Sequence, residues 1–325
     1  MEELVKEQVK QPLIAVVGPT ASGKTKVGIE LAKLYDGEVI SADSMQIYEG
    51  LDIATAKPLP EEMQEIPHHL ISVIKQEDSF SVADYVKLAK EKISEISNRS
   101  KLPIIVGGTG LYISSLIDNI SFDYVITDAN IRNRLISESK ELGNEAMLEK
   151  LRKIDPETAQ TLHANNITRI IRALEVYEVS GIKFSENKIL SRQQESPYNA
   201  CLIGLNYADR QELYDRINNR VDIMIENGML DEAKKVYDRC KLKTAHQAIG
   251  YKELIPYFDG QQDLSVCIDK IKQESRRYAK RQLTWFRRDE RINWIIINSN
   301  MNFEEIISKC KKVVAKSEIL CYNKK

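Results

Sequence analysis

The chain is predicted to be an α/β protein, a parallel sheet flanked by helices with a helical domain inserted into it. Three observations lead there. The apolar run Leu13–Val17 passes through a glycine-rich turn into a helix-like segment from Lys26 to Leu34, the strand-then-helix alternation of parallel sheets. A second strand-like run, Leu102–Val106, also ends in glycines. Such runs then vanish from about Ser121 to Tyr198 and resume at Cys201–Leu205. The expected division is residues 1–120 as the first part of an α/β core, 121–200 as the inserted helical domain, and 201–325 as the second part of the core with a basic C-terminal helical region.

Composition sets outer bounds. At 325 residues, 42% hydrophobic and 29% charged, the chain has the make-up of an ordinary soluble protein. No apolar run nears the roughly 20 residues of a membrane span, and the N-terminal MEELVKEQVKQ lacks the apolar centre of a signal peptide, so a cytoplasmic location away from membranes is expected. Cys201, Cys240, Cys267, Cys310 and Cys321 are odd in number and include no Cys-x-x-Cys pair, which points to reduced thiols and to neither a disulfide framework nor a zinc ribbon. The net charge of −1 would disfavour a polyanionic partner only if charge were evenly spread, and it is not.

Gly18-Pro19-Thr20-Ala21-Ser22-Gly23-Lys24-Thr25 has the spacing of a phosphate-binding loop in the strand-to-helix context that such a loop requires. Its backbone N–H groups and the helix N-terminus would converge on an anion, Lys24 would add an ammonium, and Thr25 a hydroxyl for a magnesium ion. The fold expected around it is P-loop NTPase-like. An oligophosphate, ATP or another nucleotide included, would suit the loop, but kinases, NTPases and enzymes expelling a diphosphate all use one.

Along the chain, Glu38–Asp43 reads as a short strand ending in an aspartate. Ligands of open α/β folds sit beyond the carboxyl ends of strands, so Asp43 would face the same crevice as the loop. It could serve a magnesium ion through water, act as general base, or simply cap a helix. Thr55-Ala56-Lys57-Pro58 reads as a loop. His68 and His69 lead a short strand and, pointing in different directions without a third ligand, do not suggest a metal pair. Helical spacing runs from Phe80 to Ile96, with Ser79 or Ser81 as its cap. The strand Leu102–Val106 ends in Gly107-Gly108-Thr109-Gly110 where phosphate-loop NTPases usually place a metal-holding aspartate. Glycines there would admit a close backbone approach, and Thr109 adds a hydroxyl.

In the inserted domain, helical spacing recurs through Ile131, Leu135 and Leu142, through Met147, Leu148 and Leu151, and through Ile167, Ile170, Ile171, Leu174 and Tyr177, with Gly181 as a helix stop. Arg132, Arg134, Arg169 and Arg172 form basic stripes, although each alone is more often a solvated charge or a salt-bridge partner than a ligand contact. Ser185–Asn199 reads as a polar return linker. The helix Arg210–Glu226 places Arg216 and Arg220 on one face, either gripping a diphosphate or pairing with Glu212 or Asp215. Residues 247–253, Gln-Ala-Ile-Gly-Tyr-Lys-Glu, form a glycine-containing link of undetermined role. Between residues 270 and 291 stand nine Lys or Arg against three acids, with Tyr278, Trp285 and Phe286 interleaved, the footprint of a nucleic-acid backbone; Tyr278 and Trp285, seven apart, should face the core. Trp294–Ile297 could close the sheet.

Two functions compete: a P-loop small-molecule or nucleoside kinase, and a transferase that holds a diphosphate leaving group while a nucleic-acid base attacks the attached carbon. A non-catalytic nucleotide-dependent binding protein would give Asp43 and Arg220 no reason to converge. GPTASGKT, ISADSMQIY, TAKP, HHLI, IVGGTGLY, TRIIRALE, RINNRV, QAIGYKE and YAKRQLTWFRR, in that order over nearly the whole chain, resemble the tRNA dimethylallyltransferase (tRNA isopentenyltransferase) family. The eukaryotic members' C-terminal zinc finger has no counterpart, so the likeness is to the bacterial type, and Ala54 stands where the family usually has glycine. The resemblance implies transfer of a dimethylallyl group from dimethylallyl diphosphate to N6 of the adenosine immediately 3′ of the anticodon in tRNA, with Mg2+, by a monomer. It further implies that Thr20–Thr25 cradle the diphosphate, with Thr25 on the metal; that Asp43 is the general base within a tRNA-contacting run Asp43, Ser44, Met45 and Gln46; that Thr109, Arg132 and Thr168, Arg169, Ile170, Ile171 and Arg172 touch tRNA; and that Lys24 and Arg220 stabilise the departing diphosphate.

Overall fold

The computed structural model describes residues 10–122, 127–239, 248–317 and 319–320. Cys240, Gln247, Cys321 and the N-terminal nine residues lie outside them. Two compact units are present, residues 1–117 with 197–325, and residues 118–196.

In the larger unit, β1 (Gln11–Val17) leads into α1 (Lys24–Leu34), and β2 (Gly37–Ala42) is followed by the single turn α2 (Pro60–Met63) and the two-residue β3 (His68–His69). Next come α3 (Val82–Asn98), β4 (Leu102–Gly107) and α4 (Gly110–Ile117). The described strands form one six-stranded sheet in the order β3-β2-β4-β1-β5-β6, β5 being Tyr198–Tyr207 and β6 Asn293–Ile297, with every pairing parallel. Every residue of β2 and β4 is buried, as expected of strands covered on both faces by helices. The core is correspondingly aliphatic: Ile14, Val16, Ile104 and Ile203 are fully buried, beneath Val27 and Leu31 of α1. Ser81 caps α3 through a reciprocal pair with Asp84, one of the two serines expected there.

The smaller unit holds α5 (Ala129–Leu142), α6 (Asn144–Ile154), α7 (Pro156–Gln160), α8 (Ile167–Ser180) and α9 (Phe184–Leu190). Its separate core gathers Leu135, Met147, Leu151, Ile170 and Leu174, the residues whose spacing marks the helices. Asp128 caps α5 by accepting the N–H groups of Asn130 and Ile131, and Gly181 ends α8 at φ 71°. The return linker is shorter than expected. Phe184 packs against the unit's core and organises α9 inside the polar stretch, while β5 begins at Tyr198, because Gln11, Pro12 and Leu13 of β1 pair with Tyr198, Asn199 and Ala200.

The larger unit continues with α10 (Arg210–Glu226), α11 (Met229–Asp238), α12 (Ile255–Phe258), α13 (Leu264–Phe286) and α14 (Phe303–Lys316). α10 packs on β5 and α13, and α13 reaches α4, so the basic helix runs past the carboxyl-end turns of the central strands. α14 packs on β5, β6 and α1.

Candidate active site

The phosphate loop joins β1, central in the sheet, to α1. Gly23 takes φ 85° at the N-cap, a left-handed conformation that costs glycine little, and it brings no side-chain cap, so the first N–H groups of α1 are left for an anion. The Ser22 N–H donates to the Pro19 carbonyl at 3.3 Å, and Lys24 Nζ donates to the same oxygen at 3.1 Å. The ammonium therefore lies across the loop it serves.

Asp43 follows β2 directly. Its Oδ1 accepts the N–H groups of Met45 at 2.9 Å and Gln46 at 3.3 Å, an Asx turn that leaves Oδ2 without a hydrogen-bond partner among the described residues. A turn and not a helix follows, so Asp43 is no helix cap. Thr109 ties the neighbouring strand end to this turn: its Oγ1 accepts the Ser44 N–H at 3.1 Å, and its own N–H donates to Ala42 O at 3.1 Å. At the end of β4 a Cβ on Gly107 would overlap the Ala42 carbonyl, and one on Gly108 would overlap the Gln282 amide. An aspartate at 107 would have to displace the Ala42 backbone, and one at 108 the end of the Gln282 side chain.

Arg216 and Arg220 lie on one face of α10, and both turn to the loop. Arg220 Nη1 donates to Thr20 Oγ1 at 3.2 Å, its Nη2 to Ala56 O at 3.5 Å, and Arg216 Nε to Ala21 O at 3.2 Å. Neither forms the alternative pair with Glu212 or Asp215; Asp215 accepts from Gln211 instead. Burial, with the Arg220 charge added, lowers Lys24 to about 8 against the opposing pull of Asp43. Burial also lowers Arg220, but a guanidinium starts high enough to stay charged.

From α13, Gln282 reaches between two strand ends: its Oε1 accepts the Thr20 N–H at 2.8 Å, and its Nε2 donates to Gly108 O at 3.0 Å. Tyr278, one turn earlier, faces the same space, with its hydroxyl raised by burial and by Asp43 while Thr109 and Gln282 hydrogen-bond it. Tyr278 thus turns to the site and not to the core. Trp285 sits against Gly110 with 37% of its surface exposed, and Phe286 is the aromatic that enters the core. These groups enclose a cavity of about 340 Å³. One end is formed by Thr20, Ala21, Gly23, Lys24, Thr25, Asp43 and Arg220, and another wall is apolar, built by Ile217, Val221, Met224, Met229 and Ile271.

Magnesium is bound through few protein oxygens and takes its remaining ligands from substrate phosphates and water. The Thr25 hydroxyl has no hydrogen-bond partner among the described residues, and it lines the cavity with Asp43, which keeps one oxygen free. Hard oxygen donors beside a phosphate loop fit that ion. His68 and His69 serve other ends: His69 Nε2 meets Glu38 at 2.7 Å, and His68 Nδ1 meets Ile66 O at 2.8 Å.

The basic residues divide. On α13, Lys270 and Arg277 pair with Glu274, and Lys272 with Asp222, whereas Lys280, Arg281, Arg287 and Arg288 make no ion pair among the described residues. In the smaller unit, Arg132 Nη2 and Arg172 Nη1 converge on Glu175 at 2.7 and 2.8 Å, and Glu175 is fully buried. Thr168 and Arg169 are exposed. Ile170 and Ile171 correct the expectation that the whole run touches tRNA: both side chains are buried in the unit's core, so Thr168, Arg169 and Arg172 alone are open to a ligand. Sequence reasoning assigned no role to Gln282 and turned Tyr278 toward the core; the signal was there as an uncharged residue and an aromatic four apart, hence on one helix face, inside a basic run.

Such a crevice at the carboxyl ends of a parallel sheet places the protein in the class of P-loop, NTPase-like α/β enzymes. The family described as IPP transferase matches residues 46–289, and the chain belongs to that family. A tRNA dimethylallyltransferase of Bacillus velezensis is 49% identical over 297 residues, 91% of this chain and 94% of that protein. A Bacillus subtilis protein of the same name is 48% identical over 299 residues, again 91% and 94%. Among solved structures, the tRNA isopentenylpyrophosphate transferase of Bacillus halodurans superposes with TM-score 0.71 at 46% identity, covering 95% of this chain and 97% of its own. A eukaryotic dimethylallyltransferase solved acting on tRNA superposes with TM-score 0.82 at 27% identity, covering 96% and 80%.

Proposed function

We propose that this chain transfers the dimethylallyl group of dimethylallyl diphosphate to N6 of the adenosine on the 3′ side of the anticodon in tRNA and releases diphosphate, as a cytoplasmic monomer. The observation that carries this reading is the joining, in one cavity, of a phosphate cradle, a strand-end carboxylate with a free oxygen, and an apolar wall. An allylic diphosphate needs the first and third, and an amine acceptor needs the second. The relatives' names speak for this transferase and not for a kinase, and so does the β4 end, where Gly107 and Gly108 stand in place of a metal-holding aspartate.

The chemistry follows from the residues. An exocyclic adenine amine is a weak nucleophile, so it must be held in line with C1 of the allyl group. As the N6–C1 bond forms, the C1–O bond breaks and its electron pair leaves on the diphosphate. The N6 proton passes to Asp43 Oδ2, which is free because the Asx turn occupies Oδ1. Lys24, Arg220 and the loop N–H groups stabilise the charge growing on the leaving group. Mg2+, held by Thr25 with Asp43 nearby, would neutralise phosphate charge when bound. A stacked base cannot reach this cavity, so the adenosine is flipped out of the anticodon loop. Ser44, Met45, Gln46 and Thr109 stand beside Asp43 to meet it, and Arg132, Thr168, Arg169 and Arg172 offer the smaller unit's contacts to RNA.

The test is incubation with dimethylallyl diphosphate, Mg2+ and unmodified tRNA, followed by mass analysis of the nucleosides. Adenosine carrying one added C5H8 unit at the position 3′ of the anticodon is expected. Phosphorylation of a small acceptor from ATP, with tRNA unchanged, would overturn the reading.

A further inference from the structure

We infer that Glu232 is a positioning residue for the transfer: its carboxylate holds the segment Asp52–Ala56 in the conformation that presents two backbone carbonyls to Gln46 and Arg220. The inference rests on the function proposed above. Glu232 lies on α11 and does not line the cavity. Its carboxylate accepts the backbone N–H groups of three successive residues, Asp52 at 2.9 Å, Ile53 at 2.9 and 3.1 Å, and Ala54 at 3.0 Å, and also the Tyr251 hydroxyl at 2.7 Å. Successive N–H groups converging on one point form a nest that favours an anion, and here the anion is supplied by the chain itself.

The other side of the segment faces the site. Gln46 Nε2 donates to Thr55 O at 3.1 Å and to Ala56 O at 3.2 Å, and Arg220 Nη2 donates to Ala56 O at 3.5 Å. Gln46 is also the residue whose N–H helps to hold Asp43 Oδ1. Ala56 adopts φ 48°, a left-handed conformation that is unfavourable for a residue with a Cβ and persists only where the surroundings impose it. The Ala56 N–H closes this turn onto Ile53 O at 2.9 Å; Glu232 anchors the start of the turn through the Asp52, Ile53 and Ala54 N–H groups, Gln46 and Arg220 use its carbonyls, and the segment couples the carboxylate to both the base and the leaving-group arginine. Ala54 has no positive φ. Its Cβ therefore leaves the loop unstrained although the family usually has glycine there.

The test is a double-mutant cycle on the full chain with dimethylallyl diphosphate and tRNA, with the wild type run alongside. If the wild type transfers nothing, the proposed function fails; everything below concerns a wild type that does. Glu232→Gln keeps the shape and loses the charge that suits three donors. It is expected to lower kcat/KM for the diphosphate about tenfold or more, with a rise in KM as well as a fall in kcat, and with the melting temperature little changed. Gln46→Ala should then cost far less in the Glu232→Gln background than in the wild type. Unchanged kinetics, a drop in melting temperature alone, or additive losses from Glu232→Gln and Gln46→Ala would overturn the inference. Should Glu232→Gln not fold, the cycle runs with Tyr251→Phe, which frees the carboxylate from its hydroxyl partner, and the same contrast between coupled and additive losses decides.

Discussion

Gln282 Oε1 accepts the backbone N–H of Thr20 at 2.8 Å across 262 residues of chain, while its Nε2 donates to Gly108 O. The basic helix α13 thereby grips the phosphate loop through an uncharged side chain, 5% exposed. Gln282→Ala leaves a part-buried donor without an acceptor, at about 1–3 kcal/mol. It is expected to raise KM for the diphosphate several-fold while tRNA affinity holds. Gln282→Glu can still accept from Thr20 but faces the Gly108 carbonyl with a second oxygen, so it should not restore the wild-type constant. If both variants bind the diphosphate as the wild type does, the bridge does not shape the loop.

Asp43 uses its two oxygens for different tasks, so the substitution that separates them is Asp43→Asn. An asparagine oxygen still accepts from Met45 and Gln46 and keeps the turn, but the amide cannot take the N6 proton. A fall in kcat of about 10²- to 10⁴-fold with nearly unchanged tRNA binding is expected. Steady-state turnover and filter binding on the same preparation check it, and equal losses in both would remove Asp43 as the base.

Much of this was legible in the chain. The phosphate loop, Asp43, Thr109 and Arg220 are short-range signals: a residue at a strand end or on a helix face inherits its position from local periodicity, and the sheet topology does the rest. The limits of α10 are those read from the sequence. What could not be read are contacts made at long range. The three N–H groups gathered by Glu232, some 180 residues away, are backbone donors with no side-chain signature. Arg132 on α5 meets an acid that tertiary packing brings to it, Glu175 on α8, whereas Arg172 and Glu175 stand three apart on one helix and that pair was within reach of the sequence. Ile170 and Ile171 follow the 3.6-residue period of the core, and that pattern should have outweighed the motif that contains them.

Lys24 yields a prediction in pH. Its ammonium, lowered to about 8 by burial first and by Arg220 second, loses its charge in the free enzyme as pH rises through that value. Because kcat/KM reports the free enzyme, the value for dimethylallyl diphosphate should fall above about pH 8, whereas kcat at saturating diphosphate should hold to higher pH, since the bound anion favours the charged form. Lys24→Arg, which cannot deprotonate in this range, should abolish that limb even if its plateau is lower. A wild-type profile flat to pH 10, or the same limb in Lys24→Arg, would count against this account.

Glu175 yields one in stability. Burial alone would raise its carboxyl, but the hydrogen bonds and charges of Arg172 and Arg132 win and hold it below the ordinary 4.5. A carboxylate whose folded pKa is depressed contributes stability that is complete above its unfolded pKa and is lost as pH falls through the folded one. Glu175→Gln leaves two arginines without their shared partner; both are partly exposed and can rehydrate, so a loss of about 2 kcal/mol at pH 7 is expected, below the range for a fully buried pair. The gap in melting temperature between wild type and Glu175→Gln should therefore stay constant from pH 7 to about 5 and narrow below 4.5, as the wild-type carboxyl takes up its proton. Melting curves of both proteins across that range decide it: a gap that does not narrow in acid would mean that the arginines gain nothing from the charge on Glu175.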